Sequence, residues 1–147
     1  MTRRQLREHC FKMLFCADFY TAEEKEEQLE RYFTEPAEDE MTSDGVEEVL
    51  HDVTMDEKDE EYLKKKVDEI MVKVPDLDAK IDEVAQGWRT KRMGKVDLTI
   101  LRLALFEMLY DEEVPEKVAI NEAVELAKKF GGDESPAFIN GVLAKLV

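Results

Sequence analysis

The groups in this chain able to do chemistry are two histidines, His9 and His51, two cysteines, Cys10 and Cys16, and an abundance of carboxylates. The histidines lie in separate segments, with no serine or cysteine placed to form a nucleophile and base. Glu48-Val49-Leu50-His51 has the Glu-x-x-His spacing of a carboxylate-bridged di-iron site, but that chemistry needs a second copy facing the first. No second copy exists. There is no C-x-x-C pair for zinc, no glycine-rich phosphate loop and no G-x-S-x-G nucleophile turn. Enzymatic chemistry, a metal and a cofactor are therefore not expected. Six residues apart on a helix, the two cysteines point in different directions and read as buried thiols of a reducing compartment.

Binding chemistry is better represented. Gly131-Gly132-Asp133-Glu134-Ser135-Pro136-Ala137-Phe138 joins a helix stop to a helix start. A helix N-terminus offers unpaired N–H groups and the positive end of a dipole, which suits phosphate. Asp133 and Glu134 repel phosphate but can accept hydrogen bonds from base edges. Phe138 falls in the first turn, where an aromatic ring can stack an unpaired base. It also stands four residues before Val142, and pattern alone favours the core for it. A second candidate is Arg3, Arg4 and Arg7 on the first turns of the N-terminal helix. Cations there oppose the helix dipole. They read equally as a solvated basic end or as a phosphate-contacting patch.

The charge distribution bounds the partners. The chain has 147 residues, 39% of them charged, and a net charge of −15. Residues 1–17 carry net +3, residues 18–84 net −17 and residues 85–147 net −1, so the acid load is confined to the middle. A purely electrostatic nucleic-acid binder would look different. Any nucleic-acid contact must be local, or shared with a basic partner. With 44% hydrophobic residues the chain can bury a core. No apolar run approaches a membrane span, and Lys12 and Asp18 interrupt any signal-peptide core, so a cytoplasmic location is expected.

The elements that must position these residues are helices. Leu6, Cys10, Met13, Leu14 and Ala17 recur at spacings of three and four, with Phe11 and Phe15 widening the stripe. Thr21 and Glu24 form a capping-box pattern ahead of Leu29, Tyr32 and Phe33. Pro36 ends that helix and opens a loop to Asp44. Val46, Val49, Leu50 and Val53 predict a short helix, and the acidic run Asp56 to Glu61 reads as a solvated face or loose insertion. Tyr62 to Val74 predicts a helix that Pro75 breaks, with a further helix over Leu77 to Ala85 capped by Asp76 or Asp78. A connector, residues 87–95, carries four cations. Asp97 then caps a nearly all-apolar, central helix. Pro115 opens the next helix and Gly131-Gly132 closes it. Ser135-Pro136 reads as an N-cap and first-position proline, ahead of Ile139, Val142, Leu143 and Leu146. No strand is expected. The fold class is all-α, with about seven helices in two small bundles: an N-terminal lobe, residues 1–84, and a C-terminal lobe, residues 85–147.

The C-terminal half carries a longer signature. Trp88 to Arg92, Asp97, Ile100-Leu101-Arg102-Leu103-Ala104-Leu105-Phe106-Glu107, then Val118-Ala119-Ile120-Asn121-Glu122-Ala123-Val124-Glu125-Leu126-Ala127-Lys128-Lys129-Phe130-Gly131 and Phe138-Ile139-Asn140-Gly141-Val142-Leu143 follow in order. This run resembles the NusB family of bacterial transcription antitermination factors. Arg3-Arg4…Arg7-Glu8 and the helix behind them extend the resemblance to residues 3–17. It implies an all-α protein that binds boxA RNA together with the ribosomal protein NusE and supports the transcription elongation complex on ribosomal RNA operons. It further implies RNA contacts at Arg3, Arg4, Arg7, Glu134, Ser135 and Phe138, and a NusE face that includes Phe15 and Asp97. Phe15 stands where a tyrosine can occur, and Glu134 where an aspartate can. The resemblance raises Phe138 from core residue to stacking residue. The acidic stretch 20–62 is longer and more negative than such a family leads one to expect. An alternative is a protein–protein adaptor without direct RNA contact. A fused RNA-methyltransferase module is not expected, and a monomer or homodimer fits equally.

Overall fold

A computed structural model of the chain describes residues 1–18, 24, 27, 30–33, 39–41, 47–49, 55–85, 87 and 89–147. The expected Thr21 cap, the Pro36 stop, His51 and Trp88 lie outside the described residues. The chain divides into two compact units, Met1–Val67 and Asp68–Val147.

In the first unit, α1 spans Arg3–Ala17. Its start is fixed by a capping box: Gln5 N–H donates to Thr2 Oγ1 at 3.1 Å, and Thr2 N–H donates to Gln5 Oε1 at 2.9 Å. The box satisfies two N-terminal donors and offsets the unfavourable placement of three arginines beside the dipole. The buried side of α1 carries Cys10, Phe11, Met13, Leu14 and Ala17, together with Arg7 and His9. Residues 30–33 are helical. His9 Nδ1 lies 2.5 Å from the Tyr32 hydroxyl, and Tyr32 meets Phe33 edge to face. Lys64 pairs with Glu30 and sits 5.4 Å from the Phe33 ring centre. Cys10 is buried and Cys16 exposed, so the expectation of two buried thiols holds for one.

Two three-residue strands, β1 (Asp39–Met41) and β2 (Glu47–Val49), pair antiparallel, with Glu40 opposite Glu48. This ribbon corrects the expected helix around Val49. Four apolar residues at helical spacing are too short a run to separate the two periods. The architecture remains all-α around it.

Helix α2, Glu57–Val84, runs 28 residues without interruption and contains Pro75. The expected break at Pro75 is therefore corrected. An interior proline costs about 3 kcal/mol through its missing N–H and its clash with the preceding turn. Leu77 and Ile81, beyond it, are both 0% exposed. Burying two such side chains contributes about 1.5–3 kcal/mol each, which matches or exceeds that cost. The acidic run at 56–61 is the start of this helix. Asp56 Oδ1 accepts from Asp59 N–H at 2.8 Å, and Glu57, Asp59 and Glu60 occupy the first turn, where the dipole favours them.

In the second unit, α3 (Lys95–Tyr110), α4 (Glu116–Phe130) and α5 (Ser135–Lys145) pack pairwise. Helix α3 is the central one, burying Leu98, Ile100, Leu101, Leu103, Ala104, Leu105 and Phe106. Arg102 clamps it to the C-terminal half of α2: Nε donates to Asp78 Oδ1 at 2.8 Å and Nη2 to Oδ2 at 2.7 Å. Among the described residues no helix is long and apolar enough to cross a membrane.

Candidate nucleic-acid interface

The turn between α4 and α5 is built by small residues. Gly131 caps α4, its N–H donating to Ala127 O at 2.9 Å. Gly132 N–H donates to Ser135 Oγ at 3.0 Å, and Ser135 N–H donates back to Gly132 O at 3.1 Å. Glu134, not Ser135, is the N-cap of α5, and it makes no side-chain capping bond. The serine hydroxyl faces backwards into the turn instead of forwards into the helix. Gly131 has no alternative, because a Cβ there would lie 2.6 Å from Ser135 Cβ.

A second turn comes close to this one. Thr90–Arg92 form a single 3-10 turn, followed by Gly94 as the N-cap of α3. Asp97 is therefore a first-turn residue of α3 and not its cap, a one-turn correction of the expected start. Thr99 Oγ1 donates to Lys95 O at 2.7 Å, tying down the same first turn.

Between the two turns lies a cavity of about 640 Å³ lined by Phe138, Ser135, Glu134, Asp133, Asp97 and Arg92, with Gly94 and Gly132 in its backbone wall. The volume is in the range of small-ligand pockets, about 300–1,000 Å³. Its charged lining is three carboxylates and one guanidinium. Such a lining disfavours phosphate inside and supplies acceptors for the N–H groups of a base edge. The half-buried Phe138 ring offers the apolar surface. Pattern alone assigned Phe138 to the core; it stands at the margin of the packed side.

Four of the expected site residues, Asp97, Glu134, Ser135 and Phe138, thus share one cavity. Arg3, Arg4, Arg7 and Phe15 lie in the other unit, on α1. Arg3 and Arg4 are exposed, whereas Arg7 is only 8% exposed. Phe15 is half-buried and tilts against Phe11, ring centres 6.3 Å apart. Sequence reasoning did not single out Arg92. Its signal was there, in the four cations of the 87–95 connector. Among the described residues no three His, Cys, Asp or Glu side chains are grouped as metal ligands.

The model of the NusB family matches residues 4–147. This chain belongs to the NusB family. It is 46% identical over 147 residues to the transcription antitermination protein NusB of Lachnoclostridium phytofermentans, covering 100% of this chain and 99% of that one. Among solved structures it is similar to T. maritima NusB, with a TM-score of 0.79 and 30% identity over 99% of this chain and 90% of the other. A crystal structure of the antitermination factors NusB and NusE in complex with dsRNA matches with a TM-score of 0.73. At 22% identity, over 98% of this chain and 94% of the other, that likeness concerns the fold. The NusB family is a family of transcription factors and not of enzymes.

Proposed function

We propose that this protein is a cytoplasmic transcription antitermination factor that binds boxA RNA together with the ribosomal protein NusE, and so serves the elongation complex on ribosomal RNA operons. The observation that carries this reading is the cavity in which the Phe138 ring stands beside Asp133, Glu134, Asp97 and Arg92, in a chain of the NusB family. A base stacked on Phe138 would present its edge to the carboxylates. Ser135 holds the turn that aims them. Arg3 and Arg4, exposed on α1, would take backbone phosphates, and Arg7, mostly buried, is the least accessible of the three. Phosphate contacts position an RNA, and base contacts specify it. Phe15 on α1 and Asp97 on α3 would each contact NusE. Residues 1–147 would act as one NusB-like domain, as a monomer or a homodimer.

The net charge of −15 sets the energetics. Such a chain alone gains little from counterion release, so a basic partner must supply much of the phosphate contact. The same charge favours a second reading, an adaptor that binds NusE without touching RNA. Equilibrium binding of boxA RNA to this protein, to NusE and to their mixture, at two salt concentrations, separates them. The RNA-binding reading expects markedly tighter, sequence-selective binding by the mixture. A mixture that binds no better than NusE alone leaves the adaptor.

A further inference from the structure

Arg89, Lys91, Arg92 and Lys95 fall within seven consecutive residues that contain no acid, in a chain of net charge −15. All four are exposed. Their turn is held firmly. Thr90 N–H donates to Asp82 Oδ1 at 2.7 Å, and Thr90 Oγ1 lies 3.3 Å from Asp82 Oδ2, so the end of α2 anchors Thr90–Arg92. The Asp82 carboxylate is thereby engaged by Thr90. The side chains of Arg89, Lys91 and Arg92 form no ion pair with any described residue. Three like charges on one short turn repel each other, and an anionic partner relieves that repulsion.

The position of Arg92 gives the turn a direction. Arg92 lines the Phe138 cavity and also a second cavity of about 410 Å³, whose walls include Arg89, Gly87, Asp82 and Glu83. The Phe138 cavity holds three carboxylates and Arg92, whereas the second holds two carboxylates, one of them engaged by Thr90, with Arg89 and Arg92, and Lys91 stands exposed on the same turn. We propose that Arg89, Lys91 and Arg92 form a seat for the phosphodiester backbone of RNA, continuing the strand whose base stacks on Phe138. This rests on the RNA-binding reading above and adds a backbone contact that none of the expected site residues supplies.

The test is the triple variant Arg89→Gln, Lys91→Gln, Arg92→Gln, mixed with NusE and titrated with boxA RNA and with a scrambled RNA across a range of salt. Each phosphate contact on single-stranded nucleic acid contributes about 0.7 to the slope of log affinity against log salt, so losing three makes the slope shallower by about 2. Affinity falls for both RNAs alike, because backbone contacts carry no sequence information. The side chains are exposed, so thermal unfolding of the variant matches that of the parent chain. If the parent mixture binds RNA but the triple variant keeps both slope and affinity, the phosphate seat is overturned and the RNA-binding reading stands. If the variant loses NusE binding without RNA while the salt slope is unchanged, the seat is likewise overturned and the turn is a protein-docking surface. If the parent mixture binds no better than NusE alone, both fall.

Discussion

Gly132 and Ser135 bond to each other twice, the glycine N–H to the serine Oγ at 3.0 Å and the serine N–H to the glycine carbonyl at 3.1 Å. Gly132 to Ser135 therefore form a closed turn, and these four residues line the cavity together with Phe138. Replacing Ser135 by Ala leaves the Gly132 N–H without its acceptor, at a cost of about 1–3 kcal/mol for a part-buried group. Gly131→Ala costs more, since its Cβ would meet Ser135 Cβ at 2.6 Å and the Ala127 carbonyl at 2.8 Å. Urea unfolding of the two variants checks the order: Gly131→Ala below Ser135→Ala below the parent. Equal stability of all three contradicts it.

Pro75 is exposed inside an uninterrupted helix. Alanine there restores a backbone N–H and removes the ring clash, while giving back some unfolded-state entropy. Pro75→Ala is expected to stabilise the protein by about 1–2 kcal/mol, read as a higher urea midpoint with an unchanged slope. A lower midpoint would mean that the helix needs its proline.

Tyr32 gives the fold a pH dependence. Burial, then the nearby Cys16 and Cys10, raise its phenol well above the ordinary 10.0. A group that holds its proton more tightly folded than unfolded contributes stability that is whole below pH 10 and lost as the pH rises beyond it. At pH 8, Tyr32→Phe loses the hydrogen bond to His9, worth about 1 kcal/mol. Toward pH 11 the parent weakens more steeply than the variant, and the gap between them narrows. Parallel stability curves across that window contradict the assignment.

The second unit was the most legible part of the sequence. Helix α3 announces itself by its nearly continuous apolar run, α4 by an apolar period and the Gly131 stop after Phe130, and α5 by the stripe Ile139, Val142 and Leu143. Pro75 misled because a local rule met a tertiary one: the break it signals is overruled by the burial of Leu77 and Ile81. Residue type marks Asp97 and Ser135 as caps. The chain instead caps with Gly94, three residues before Asp97, and with Glu134, and uses the serine hydroxyl within the turn. Phe138 was visible as a candidate, but period alone cannot tell the margin of a packed stripe from its centre. The Asp82–Thr90 clasp joins residues eight apart across an irregular connector, where no periodicity announces it. Without that clasp, Arg92 reads as one more solvated cation.

The central claim is that a base stacks on Phe138, and Phe138→Leu tests it most directly. Leucine keeps the apolar bulk of this half-buried position and removes the π-face. Stacking on an aromatic ring is worth about 1–3 kcal/mol per base, so the mixture of the variant with NusE should bind boxA RNA roughly 5- to 150-fold more weakly. The salt slope should not change, because no charge is removed, and thermal unfolding should confirm an intact fold. Unchanged affinity in a folded variant would contradict the account and return Phe138 to the core.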